Sequence, residues 1–159
     1  RTRRMAVPFS YIAFEGPLGS DKQILASSVA KALNAELIED LTNNPFLENF
    51  YKGREGASLQ AQLFFLLNRV QILQEVKQPS LFHQCKISNF MIEKDRIYAY
   101  QNLTDSELGL YEKLYPMLTA DRVRPDLVVY LQMSTERILT ALRKRKSTKH
   151  LNILPEYVD

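Results

Sequence analysis

One stretch constrains this chain more than any other: Tyr11-Ile-Ala-Phe-Glu-Gly-Pro-Leu-Gly-Ser-Asp-Lys-Gln-Ile-Leu25. Tyr11 to Phe14 is a short apolar run that ends in turn residues, and it reads as a buried strand. The run breaks at Gly16 and Gly19. Apolar residues then return at helical spacing through Ile24, Leu25, Val29, Ala30 and Leu33. A strand, a glycine turn, a lysine and a helix form the layout of a phosphate-binding loop. Against the pattern G-x-x-x-x-G-K-[ST], Gly16 is the first glycine and Lys22 the lysine, with Gly19 and Ser20 between them. Asp21 stands in place of the second glycine and Gln23 in place of the hydroxyl.

Both departures have physical content. Such a loop turns backbone N–H groups and a helix N-terminus onto phosphate oxygens, and the second glycine lets the backbone come close. Asp21 adds a side chain and a negative charge there. The hydroxyl after the lysine ligates Mg²⁺; Gln23 offers an amide oxygen on a longer arm. The stretch therefore announces a nucleotide-kinase framework and alters its central tool.

The chain has 159 residues, room for about one domain with a real core. Its net charge of +3 is mild, and much of it sits at the ends, in Arg1, Arg3 and Arg4 and in Arg143 to Lys146 with Lys149. That suits phosphate binding and is too little to argue for nucleic acid. A single cysteine, Cys85, excludes an internal disulfide and suits a reducing, cytoplasmic compartment. No stretch has the length of a membrane span, and no His/Asp cluster points to a metal site.

Along the chain, residues 1–7 read as a tail and 8–159 as a single domain. The first helix is expected over Lys22 to Asn34, and Ala35 to Asp40 as a second strand ending in two acids. Asn44 before Pro45 predicts a helix start, with Asn44 as N-cap and Pro45 at the first position. A long helix is predicted over Ser58 to Lys77, with the stripe Leu59, Leu63, Leu66, Val70, Leu73 and Val76. Gln62 and Arg69 share one face and fall inside that stripe. Polar residues there need partners: either Arg69 meets a carboxylate and Gln62 a backbone group, or both read a ligand. His83 to Phe90 reads as a third strand and Met91 to Gln101 as helical. Thr104 and Glu107 form a capping box opening a helix that Pro116 kinks or stops. Pro125 to Gln132 reads as the clearest buried strand, and Ser134 caps a last helix carrying Ile138, Leu139 and Leu142. Alternating strands and helices predict an α/β fold, a mostly parallel sheet with the first strand central and helices on both faces.

Taken together, these stretches resemble the bacterial branch of the deoxynucleoside kinases, with their P-loop NTPase-like fold. The carriers are Ile12 to Gly16, Asn44 to Leu47 with Phe50 and Tyr51, Gln62 to Leu67 with Arg69, Glu93 to Ile97, Leu110 to Tyr115, and Pro125 to Gln132. The resemblance implies transfer of the ATP γ-phosphate to the 5′-hydroxyl of a deoxynucleoside. By position it implies Glu39 as general base, Tyr51 as a sugar contact, Gln62 as reader of the nucleobase, Arg69 as an active-site arginine, Lys22 as the phosphate lysine and Arg145 as a lid arginine. It also implies a homodimer.

The departures from the family gather on the phosphate side. An acid-Arg-Ser motif after the third strand is replaced by Ser88-Asn89-Phe90, and His150 occupies a lid position where the family has Glu. Family members continue through another helix and a final strand, which are expected to be missing after Pro155 to Asp159. Two readings of function follow. One is a kinase-like domain impaired in ATP phosphate binding, with no cofactor, that binds a nucleoside or a protein. The other is an active kinase using ATP and Mg²⁺. No membrane or nucleic-acid partner is expected.

Overall fold

The structure is a computed structural model, and it describes residues 7–41 and 43–144. Arg145, His150 and the stretch from Pro155 lie outside the described residues. The chain divides into two compact units. The first comprises residues up to Glu39, Ser80–Asn89 and the segment from Pro125; the second comprises Asp40–Pro79 and Phe90–Arg124.

The first unit carries the sheet. Strands β1 (Tyr11–Glu15), β2 (Glu36–Ile38), β3 (Lys86–Ser88) and β4 (Leu127–Tyr130) lie in the order β2-β3-β1-β4. Every pairing is parallel, with Ile12 opposite Ile87 on one side and Leu127 on the other. β1 is an inner strand, paired with β3 on one side and β4 on the other. Helix α1 (Lys22–Leu33) lays Ala26 and Ala30 against Ile12, Phe14 and Ile87. Tyr11 and Ala13, which alternate to the other face, are buried as well, so both faces of this strand are covered. At the N-terminal end of β1, the Asp126 carboxylate accepts from the Ser10 and Tyr11 backbone N–H groups at 2.8 and 2.9 Å and from the Ser10 hydroxyl at 2.7 Å. Helix α6 (Thr135–Lys144) begins after Ser134, whose hydroxyl accepts from Arg137 N at 3.5 Å.

The last strand departs from expectation. β4 spans four residues, and its Tyr130 is 63% exposed, so it is not a buried strand among the described residues. Among the described residues it pairs on one side only, and an apolar run alone does not distinguish an edge from an interior place. β2 and β3 are also shorter than predicted; residues before Lys86 form bends rather than strand.

The second unit is helical: α2 (Leu47–Tyr51), α3 (Ala57–Lys77), α4 (Glu93–Asn102) and α5 (Asp105–Thr119). Asn44 is not the N-cap of α2, whose cap is Phe46. Its side chain instead closes a turn, accepting from Phe46 N at 2.9 Å, and its amide donates to Ala61 O on α3 at 2.9 Å. Thr104 and Glu107 form the predicted capping box. Pro116 neither stops α5 nor bounds it, because the helix continues to Thr119; proline forfeits one hydrogen bond, and Tyr111, Tyr115 and Thr119 are buried along the same helix.

Candidate functional site

The loop after β1 keeps the turns of its pattern. Gly19 has φ 84° and Asp21 φ 57°, so Asp21 adopts the left-handed conformation that a glycine there would take freely. Gly16 is required by close approach: a Cβ on it would lie 2.9 Å from Leu131 O and 3.0 Å from Ser20 Oγ. The Ser20 hydroxyl is buried and has no partner among the described residues. Ile24 and Leu25 donate to Asp21 O at 3.0 and 3.2 Å, which starts α1 directly behind the loop.

The loop's functional side chains turn onto the protein's own carboxylates. Lys22 Nζ pairs with Glu15 and donates to Gly16 O at 3.0 Å, and Glu15 Oε1 also accepts from Gly16 N at 2.9 Å. Gln23 Nε2 donates to Glu39 Oε1 at 3.0 Å. Glu39 follows β2 and is exposed. An open cavity of about 540 Å³ in this unit is lined by Gln132, Met133, Ser134 and Arg137.

The second unit holds a buried polar network. Gln62 and Arg69 project from the inward face of α3 and are buried. Arg69 forks onto Asp40, with Nε to Oδ1 at 2.9 Å and Nη2 to Oδ2 at 3.1 Å, and its Nη1 reaches Asp95 Oδ1. Asp95 is fully buried; its Oδ2 accepts from the Tyr111 hydroxyl at 2.6 Å, and its backbone O accepts from Gln62 Nε2 at 2.9 Å. Lys94 adds a second cation on Asp40. Phe65 lies under the Arg69 guanidinium, 4.7 Å from its ring centroid. Gln62 and Arg69 thus have the internal partners that burial demands.

The charges follow from this packing. Burial pushes the Asp40 carboxyl up, but Lys94 and Arg69 outweigh it and hold it below the usual carboxylate range. Burial likewise disfavours charge on Arg69, and Asp40 with Asp95 overcomes it, so the guanidinium stays firmly charged. Burial, then the neighbouring Asp95 charge, pushes the Tyr111 phenol well above its ordinary value.

Of the sequence-predicted residues, Lys22, Gln23 and Glu39 are brought together in the first unit, and Gln62 and Arg69 in the second. Tyr51 ends α2 and is 44% exposed. Asp40, Lys94, Asp95, Tyr111 and Glu15 were not given a site role by the sequence. A signal for Asp95 was present: Ile92, Asp95 and Ala99 fall on one helical face, all buried, so an acid sat in an apolar stripe just as Arg69 did. Among the described residues no group of His, Cys, Asp or Glu could hold a metal ion, and no helix is long and apolar enough to cross a membrane.

A parallel α/β sheet opening on a strand, a glycine loop, a lysine and a helix defines the class as a P-loop-type phosphotransferase fold. The chain belongs to the deoxynucleoside kinase family: the family model described as Deoxynucleoside kinase matches residues 12–159. It is 30% identical over 151 residues to the deoxyguanosine kinase of Bacillus subtilis (strain 168), covering 94% of this chain and 73% of that relative. It is 27% identical to the deoxyadenosine kinase of Dictyostelium discoideum, covering 94% of this chain and 62% of the relative. The solved deoxyadenosine kinase from M. mycoides, with products dCMP and a flexible dCDP bound, aligns with TM-score 0.78 at 24% identity, covering 92% of this chain and 77% of that one. That last likeness speaks for the fold alone.

Proposed function

We propose that this chain is a kinase-fold domain that binds a deoxynucleoside but holds ATP·Mg²⁺ poorly, and that it works as a nucleoside- or protein-binding domain rather than an efficient phosphotransferase. One observation carries the reading: the loop's functional side chains are engaged by carboxylates of the same unit, Lys22 by Glu15 and Gln23 by Glu39. Phosphoryl transfer is mostly positioning and electrostatic stabilisation by lysine, arginines and Mg²⁺. A triphosphate has to draw Lys22 from Glu15 and meet the added charge of Asp21. The donor set does not fit a nucleotide-bound Mg²⁺: no hydroxyl follows Lys22, and the Gln23 amide turns an N–H toward Glu39.

In this reading Gln62 and Arg69 shape the nucleobase side, Tyr51 meets the sugar, and Glu39 faces the 5′-hydroxyl. Arg145 serves as the lid arginine. Both compact units belong to one domain over 8–159. The reading includes a homodimer in the cytoplasm; Ile97, Tyr100, Leu110 and Met117 leave apolar surface exposed on α4 and α5, and light scattering tests the dimer. Calorimetric titration with ATP·Mg²⁺ and, separately, with 2′-deoxynucleosides tests the function. Nucleoside binding with weak or absent ATP·Mg²⁺ binding is expected. Tight ATP·Mg²⁺ binding with turnover overturns it.

The second reading is an active deoxynucleoside kinase that transfers the ATP γ-phosphate to the 5′-hydroxyl. It is favoured by the loop's retained backbone, with positive φ at Gly19 and Asp21 despite the substitution. ADP release that depends on a deoxynucleoside distinguishes it.

A further inference from the structure

We infer that Gln23 is a positioning residue for Glu39, an inference that rests on the reading of Glu39 as the group facing the deoxynucleoside 5′-hydroxyl. Gln23 Nε2 donates to Glu39 Oε1 at 3.0 Å. A carboxylate oxygen only accepts, so the nitrogen end of the amide is the end that faces it. Both anchors are held by backbone. Gln23 is the second residue of α1, and Glu39 follows Ile38, whose carbonyl accepts from Asn89 N at 3.2 Å.

Glu39 itself is exposed, and Gln23 supplies its hydrogen bond among the described residues. An exposed glutamate without a partner spreads over its rotamers. Held at Oε1, it keeps Oε2 for a hydroxyl donor at a defined place beside the phosphate loop. A Ser or Thr at position 23 is too short for that reach; the longer amide spans it. The same substitution that removes a metal ligand therefore supplies an orienting contact to the neighbouring carboxylate.

The test compares 2′-deoxyadenosine and 2′-deoxyguanosine with their 5′-deoxy analogues, which lack the hydroxyl, by calorimetry on the whole chain. Gln23→Leu is expected to weaken binding of the hydroxyl-bearing nucleosides by roughly three- to tenfold, the net worth of one ordinary solvent-exposed hydrogen bond. It is expected to leave the 5′-deoxy analogues unchanged. Gln23→Lys, which keeps an N–H donor at similar reach, restores the hydroxyl-dependent part. The Gln23 side-chain amide signals in a ¹⁵N spectrum are expected to shift in Glu39→Gln, a readout independent of ligand. Equal affinities for Gln23→Leu and the unmodified chain, equal weakening for both ligand classes, or amide signals indifferent to Glu39 each overturn the inference and leave nucleoside binding standing. An unmodified chain that binds none of the nucleosides overturns both the inference and the reading beneath it.

Discussion

Lys22 and Gln23 find their carboxylates within the first unit, near the surface: Gln23 and Glu39 are both exposed. Arg69 finds Asp40 and Asp95 in the second unit with 6% of its side chain exposed and Asp95 fully enclosed. The two regions use the same chemistry, a nitrogen donor on a carboxylate, under opposite solvation. At the exposed Gln23–Glu39 contact water competes for both partners, so that contact is weak and can be exchanged for a ligand, while Lys22 and Glu15 beside it are partly buried. In the network, a group that loses its partner has no water to replace it. The loop is therefore where function can be gained or lost by substitution, and the network is where the unit's fold is at stake.

The largest effect that tests this contrast is expected from Arg69→Ala. It leaves the Asp95 charge buried without its cation, and should cost about 3–5 kcal/mol in urea unfolding. A loss below about 1 kcal/mol, the range of an exposed pair, would erase the distinction between the regions. Next is Tyr111→Phe, which removes the 2.6 Å hydrogen bond to Asp95 and should cost about 1.5–3 kcal/mol.

Changing both departures in the loop, Asp21→Gly with Gln23→Thr, should strengthen ATP·Mg²⁺ binding by about tenfold in calorimetry, because it removes one like charge near the phosphates and supplies a hydroxyl. No gain would place the obstacle outside the loop. Gln23→Leu alone should change unfolding stability by no more than about 0.5 kcal/mol, as expected of an exposed side chain.

Acid and base titration of stability sharpen the same comparison. The folded Asp40 carboxyl is lowered, so its contribution is present above the ordinary aspartate value of about 3.9. It is lost as pH falls through the lowered folded value. Tyr111 is raised, so its contribution is present below about pH 10 and is lost as pH rises beyond that. Asp40→Asn should flatten the acid loss in a pH series of unfolding curves, and Tyr111→Phe the alkaline one.

The sequence by itself determined the features that depend on neighbours along the chain. The β1–loop–α1 opening, the capping box at Thr104 and Glu107, the Ser134 start of α6 and the inward face of α3 all follow from local spacing and side-chain chemistry. The altered character of positions 21 and 23 was equally plain, because a loop pattern names the residue each place requires. The tertiary structure alone decided what long-range partners decide. Among the described residues it left β4 exposed at an edge, because an apolar run does not state how many neighbours it will have. It carried α5 past Pro116, since burial along a helix can outweigh one lost hydrogen bond. It also chose Asp40 and Asp95 for Arg69, and Glu39 for Gln23. The sequence shows that a buried arginine needs a carboxylate, but pairs 26, 29 and 16 residues apart are selected only when the folded backbone brings them within hydrogen-bonding distance.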